Sequence, residues 1–365
     1  MKKHFYSRLQ DRVDRLRRYK NQPYSLSIKL IWWIIKCCLT PSHWKGSDPE
    51  KRSVIYSKPE SKNIGILLKG GVGDITIGGI LIKKLHEILP SDYKFSLLLT
   101  NGVEIYSILF RGQSFINQIL RDDSVRYEEF DIVIELDVYF PKIIYKNPNI
   151  NIKNNFLNRY VEVVNNFHKD FPNITRTDRV PDQMMLIEIL NKNRISCLDI
   201  DNLLGITKNC IWNITVDDSL CSSIYSKWPE LQKPFITVGR SVDTSNEYSD
   251  SIRLWSVEKY NAWIKIFKAH FPDVTVVQLG GVKKRCEQLN VDLNLVGETT
   301  FDELLFILKN SSLHLDGECG YVHLRHFLTK AKGLNIVLFG PTSISIKSYP
   351  ENINVRSKNS CCLKS

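Results

Sequence analysis

The segment Ile64 to Leu68 (IGILL) is an apolar run of the length of one buried strand, and it gives way at once to Gly70-Gly71-Val72-Gly73-Asp74. From Ile75 to Leu89 the apolar residues return at helical spacing, with Ile80, Leu81, Leu85 and Ile88 among them. A glycine turn between a buried strand and an amphipathic helix leaves few folds open. The helix must cover the sheet that holds the strand, and the following strand then runs parallel to the first. Phe95 to Leu99 and Asp131 to Leu136 (DIVIEL) supply the next strands. The order strand, turn, helix, strand predicts a parallel sheet with helices on its faces.

The same grammar returns in the C-terminal third. Phe235 to Val238 (FITV) and Val274 to Leu279 read as strands, the second ending in Gly280-Gly281. Ser256 is placed to cap a helix that carries Tyr260, Trp263, Ile264 and Phe267 on one face. Thr300-Phe301-Asp302-Glu303 has capping-box spacing ahead of Leu304, Leu305 and Leu308. Leu313 to Asp316 and Asn335 to Phe339 are further strands, each followed by a glycine-containing turn. Residues 140–230 are rich in Asn and Lys, and helices are expected there without clear bounds. The chain has 365 residues, 43% of them hydrophobic, enough for two α/β domains with separate sheets. The expected division is 1–61, a basic amphipathic arm and linker; 62–230, an N-terminal domain; and 231–365, a C-terminal domain.

Charge is concentrated in the arm. Residues 1–62 hold 15 Lys and Arg against 5 Asp and Glu, a net of +10, out of a formal +11 for the whole chain. The body is therefore nearly neutral, which argues against a nucleic-acid docking face. Ile28, Leu30, Ile31, Trp32, Trp33, Ile34 and Ile35, interrupted by Lys29 and flanked by Lys36, form an apolar run shorter than the ~20 residues of a membrane span. Paired tryptophans beside basic residues suit an in-plane anchor on anionic lipid through residues 1–45. They suit equally a helix packed on the body of the protein. The nine cysteines form no Cys-x-x-Cys pair, and with no secretory signal they read as reduced thiols of a cytoplasmic protein. Asp199-Ile200-Asp201 is the one Asp-x-Asp, and without a preceding apolar strand it reads as a loop or cap pair rather than a metal site.

The turns are where chemistry is expected. Glycines at a strand-to-helix junction let backbone N–H groups approach an anion. Gly70 to Asp74 matches neither the phosphate-binding Gly-Lys-Ser/Thr loop nor the spaced three-glycine fingerprint. Asp74 is either a cap of its helix or a base for a bound hydroxyl. Asp316 to Leu324 and Phe339 to Ser343 cross from strand to helix in the same manner, where ligands of open α/β sheets bind.

Together these segments resemble glycosyltransferase family 9, the ADP-heptose:lipopolysaccharide heptosyltransferase family, with the GT-B fold of two Rossmann-like domains facing a central cleft. The resemblance runs over roughly residues 62–345. It rests on Gly71-Val72-Gly73-Asp74, Arg253-Leu254-Trp255-Ser256, Gly280-Gly281, Glu318-Cys319-Gly320-Tyr321-Val322-His323-Leu324, and Leu338 to Thr342, in that order. Arg253 stands where such proteins have Lys, Glu318 where they have Asp, and the first glycine turn is one residue short. The last strand is followed by few residues, without the closing helices usual in the family.

The resemblance implies an inverting, metal-independent transferase with no cofactor, taking a sugar from a nucleotide-diphosphate donor, ADP-heptose by analogy. The acceptor would be a lipid-linked or envelope saccharide at the inner face of the bacterial inner membrane. Asp74 would be the base, in a turn formed by Gly70, Gly71 and Gly73. Arg253 would neutralise the departing diphosphate. Glu318 would face donor hydroxyls, and Gly320, Thr342 and Ser343 would offer donors to the phosphates. His323 would bond the diphosphate or, as a core histidine, hold its helix. Gly239, Arg240 and Ser241 would reach the donor phosphates. Two other readings share these features: a GT-B epimerase or hydrolase acting on a nucleotide sugar without an acceptor, and a nucleotide-sugar-binding scaffold without catalysis.

Overall fold

The computed structural model describes residues 62–137, 140–148, 155–170, 212–240, 254–281, 286–328, 331, 333–340, 344 and 348–356. All lie in one compact unit, Lys58–Ser365. The basic arm before residue 62 and the Asp199-Ile200-Asp201 pair lie outside the described residues.

The first half runs β1 (Asn63–Lys69), α1 (Val72–Ile88), β2 (Lys94–Leu99), α2 (Val103–Leu109), β3 (Ile116–Arg121), β4 (Ile132–Asp137), β5 (Phe140–Lys146) and α3 (Asn155–Asp170). A short helix α4 (Cys221–Lys227) leads to the second half. That half is β6 (Phe235–Gly239), α5 (Val257–His270), β7 (Thr275–Leu279), β8 (Leu293–Asn294), α6 (Phe301–Asn310), β9 (Leu313–Gly317), α7 (Gly320–Phe327), β10 (Leu334–Phe339) and β11 (Ile353–Arg356). Among the described residues the protein is mixed α/β with two sheets, ordered β3-β2-β1-β4-β5 and β11-β10-β9-β6-β7-β8. All their strand pairs are parallel except β4 with β5. Read from β8, the second sheet has the 3-2-1-4-5-6 order of doubly wound nucleotide-binding folds, and the first sheet repeats its 3-2-1-4 portion. In each, strand order reverses beside the first strand of the half: between β1 and β4, and between β6 and β9.

Alternation along the strands explains why both faces are covered. Ile64, Ile66 and Leu68 of β1 join Phe95, Leu97, Leu99, Ile132 and Ile134 in the main apolar cluster. Leu67, Leu98 and Val133 point the other way, into a smaller cluster with Phe130. In the second sheet Ile236, Val238, Val276 and Leu315 meet Tyr260 and Ile264 of α5. The opposite face, with Val277, Leu279, Val337 and Phe339, belongs to the main cluster, as do apolar residues of α1, α6 and α7. One apolar core thus runs through both halves. Trp212 seats itself in α1 at Gly79, where an added Cβ would come within 2.6 Å of its indole. Arg111 closes the outside of this junction with an ion pair to Asp302 at 2.9 Å.

The helix signals operate as the sequence implies. The Ser256 hydroxyl accepts from the Lys259 N–H at 3.4 Å. Thr300 and Glu303 form a reciprocal capping box: the Thr300 N–H donates to Glu303 at 2.7 Å, and the Glu303 N–H to the Thr300 hydroxyl at 3.3 Å. Among the described residues, no helix is long and apolar enough to cross a membrane.

Candidate active site

The two glycine turns after β1 and β9 are brought together. Gly70 leaves β1 with φ of 128°, a left-handed value that favours glycine, and so aims the chain into α1. The first turn of α1 then lies against the first turn of α7. A Cβ on Gly73 would stand 2.9 Å from the Gly320 Cα and 3.0 Å from the His323 Cδ2, while a Cβ on Gly320 would stand 3.2 Å from the Gly73 nitrogen. Two helix N-termini, one from each half and each leaving the C-terminal end of a parallel strand, meet through paired glycines. The first turn of each helix leaves N–H groups without intrahelical carbonyl partners, and each helix dipole places partial positive charge at this end.

Asp74 is in the first turn of α1 and partly exposed. Its Oδ2 accepts from the Gly71 N–H at 3.1 Å, so the capping role expected of it is present. Gly71 itself is exposed, and a Cβ there would meet only this carboxylate, at 3.7 Å. Tyr106, buried in α2, has its phenol pushed up to about 12 by burial and then by the nearby Asp74 charge. It is an ionisable neighbour of Asp74 that the sequence did not single out. The signal was slight: a single glycine, Gly102, which caps α2 after β2 at φ 75°.

Glu318, His323 and Tyr349 form a buried chain. Glu318 is 4% exposed, His323 3% and Tyr349 1%. His323 Nε2 stands 3.2 Å from Glu318 Oε1, and its Nδ1 stands 2.7 Å from the Tyr349 hydroxyl. Both ring nitrogens are thus engaged within the protein. Of the two roles left open for His323, the structural one is visible here. Tyr349 lies in the connection from β10 to β11, where no periodic pattern marks it.

The end of β6 is equally close to β9. One step past the Val238↔Leu315 pair, a Cβ on Gly239 would fall 1.9 Å from Asp316 Oδ2, so the absent side chain is what admits this carboxylate. Asp316 is fully buried; it accepts from the Gly317 N–H at 2.7 Å and from the Cys319 thiol at 3.1 Å. Burial, and then the Asp316 charge, push the Cys319 thiol up, so it stays protonated and donates. Arg240 is buried, donates from Nε to the Trp255 carbonyl at 3.0 Å and pairs with Glu287. It ties the end of β6 to the start of α5.

Arg253, Ser241, Thr342 and Ser343 lie outside the described residues. The remaining expected residues, Gly70, Gly71, Gly73, Asp74, Gly239, Arg240, Glu318, Gly320 and His323, all sit at C-terminal strand ends or the helix starts that follow them. Among the described residues, no three His, Cys, Asp or Glu side chains converge as a metal centre requires.

Among solved structures, the chain is similar to ADP-heptose lipopolysaccharide heptosyltransferase II of E. coli, with a TM-score of 0.50 and 13% identity over 81% of this chain and 90% of that one. A glycosyl transferase family 9 structure from Veillonella parvula gives a TM-score of 0.49 at 14% identity, covering 81% and 85% of the two chains. E. coli heptosyltransferase WaaC with ADP gives 0.46 at 11% identity, covering 82% and 96%. No protein-family model matches the chain, and no curated protein matches it significantly. At such identities the likeness to heptosyltransferase II is one of fold.

Proposed function

We propose that the protein is an inverting glycosyltransferase of GT-B type that moves a sugar, heptose from ADP-heptose by analogy, to a lipid-linked or envelope saccharide. The observation that carries this reading is the meeting of α1 and α7 at Gly73 and Gly320. Transfer from a nucleotide-diphosphate donor needs a base beside the attacking hydroxyl and positive potential beside the leaving diphosphate. The helix N-termini supply the second, and Asp74 stands one residue from the contact to supply the first. The fold shared with heptosyltransferase II, a protein whose own name specifies ADP-heptose, supports the same class.

In this reading the acceptor hydroxyl lies against Asp74, which takes its proton as the oxygen attacks the anomeric carbon. A single displacement inverts that carbon. The departing diphosphate is stabilised by N–H groups at the start of α7 and by Arg253, whose planar fork suits two phosphate oxygens at once. Glu318 holds His323. Charge neutralisation by Arg253 and the helix ends takes the part a metal ion has in other transferases. The arm, residues 1–45, brings the enzyme to the anionic inner face of the membrane, where a lipid-linked acceptor resides.

A panel of nucleotide sugars tested by thermal shift, then by transfer in the presence of EDTA, decides the matter. A bound donor at about 100 times its Kd adds about 2.7 kcal/mol of stability. Stabilisation by ADP sugars above UDP or GDP sugars, with transfer that survives EDTA, is expected. Donor cleavage without an acceptor would favour the hydrolase or epimerase reading, and donor binding without turnover the scaffold reading.

A further inference from the structure

We propose that Tyr349 is a positioning residue for the transfer site: its hydroxyl donates to His323 Nδ1, fixes the ring proton on Nε2 toward Glu318, and so sets the imidazole edge on which the Asp74 turn rests. This rests on the transferase reading above and adds a residue to it that no motif of the sequence marks.

The tautomer follows from the partners. With Glu318 ionised, its carboxylate can only accept, and the nitrogen facing it carries the proton. In a neutral imidazole the other nitrogen is then an acceptor, and the phenol opposite it must be the donor. The distances fit, 3.2 Å on the carboxylate side and 2.7 Å on the phenol side. With an ionised Glu318 and a neutral imidazole, the chain runs in one direction, from Tyr349 through His323 to Glu318.

Tyr349 is held firmly enough to impose this. Its ring stacks on His326 at a centroid separation of 3.6 Å and 17°, and meets the edge of Phe327 at 6.2 Å and 88°. His326 is in turn paired with Glu351. The Tyr349 carbonyl accepts from the Asn352 N–H at 3.1 Å and from Asn354 Nδ2 at 3.1 Å. The segment that precedes β11 is thus wrapped around this tyrosine.

The consequence reaches the other half. His323 Cδ2 is one of the two atoms nearest to where a Gly73 side chain would stand, at 3.0 Å, and Gly73 precedes Asp74. A ring free to turn about its bonds would either press on this turn or withdraw from it. A misplaced catalytic group costs rate without equal loss of ground-state binding.

The test is Tyr349→Phe in the full chain, which keeps the ring stack and removes the hydroxyl. Nitrogen-15 spectra of labelled histidine should show His323 as the Nε2–H tautomer in the wild type and as a mixture in the variant. Turnover should fall about tenfold, the effect of one buried hydrogen bond, with donor KM within about a factor of two. An unchanged tautomer, or unchanged kcat in a variant whose His323 signal has shifted, overturns the positioning role. If the wild type itself transfers no sugar from any donor, the transferase reading falls and this role with it. The two failures are distinguished by whether the wild type is active.

Discussion

Gly73 and Gly320 touch across the two halves of the protein, with 2.9 Å between the Gly320 Cα and the place a Gly73 Cβ would occupy. This contact joins backbone to backbone, so no side chain can rotate away to make room. It explains why a glycine is needed in α1 at a position of ordinary helical conformation. Gly73→Ala is expected to lower stability by about 1–3 kcal/mol, the usual range for overpacking, and to depress turnover more than donor affinity. Gly71→Ala is the control, because its Cβ would meet only the Asp74 carboxylate at 3.7 Å. Urea denaturation of both variants checks this; equal stability of the two would show that the halves separate freely at this point.

Asp74 both caps α1 and is the proposed base, and two substitutions separate the roles. Asn keeps an oxygen able to accept from the Gly71 N–H, so Asp74→Asn should leave the melting temperature nearly unchanged. Turnover should nevertheless fall by roughly 100-fold or more, the usual contribution of a general base. Asp74→Ala should lose the cap as well, at about 1 kcal/mol. Single-turnover kinetics beside thermal melts give both quantities. An Asp74→Asn variant that retains more than roughly a tenth of wild-type turnover would leave Asp74 as a cap alone.

Much of this architecture was legible in the sequence because both sheets are buried on two faces. FITV at 235–238 and IGILL at 64–68 became strands β6 and β1 with bounds shifted by one residue. Ser256 and Thr300 announced their helices by hydrogen bonds they do make. Other elements were hidden for physical reasons. β3, INQILR, lies toward one margin of its sheet with partly exposed side chains, so it lacks a continuous apolar run. β5, FPKIIYK, pairs antiparallel at an edge and contains Pro141, which ordinarily speaks against a strand. The glycine turns and the place of Asp74 at the start of a helix were legible. Tyr349 and Tyr106 were not, because their placement depends on contacts between segments far apart in the chain.

The basic arm gives a prediction that is independent of the site. Removing residues 1–45 should release the protein from vesicles that contain anionic lipid and leave donor binding unchanged. Each Lys or Arg near such a surface contributes about 1 kcal/mol, screened by salt. The apolar run from Ile28 to Ile35, with its two tryptophans, adds insertion that salt does not screen. Sedimentation with vesicles should therefore weaken as salt rises without vanishing. Full-length protein that ignores anionic vesicles, or a truncated chain that loses its circular dichroism, would show instead that this segment packs on the body.

His314 makes stability depend on pH in a defined direction. It is fully buried in β9, its Nδ1 bonded to the Thr237 hydroxyl at 2.9 Å. Burial, and then the charge of Arg325, depress it to about 3. The Asp316 carboxylate is 3.7 Å from Nε2, too far for a hydrogen bond, and already accepts from Gly317 and Cys319, so it does not reverse the effect of burial. A histidine whose folded value lies below its unfolded 6.5 is fully stabilising above pH 6.5. As pH falls from there toward about 3, the unfolded chain binds the proton and the folded chain does not. Stability is lost across that window at up to about 1.4 kcal/mol per pH unit from this residue alone. His314→Asn retains a group able to bond Thr237 but does not titrate. Urea denaturation at pH 7 and pH 5 should show a smaller loss for the variant than for the wild type. Equal losses would mean that His314 takes up its proton in the folded protein as readily as in the unfolded chain.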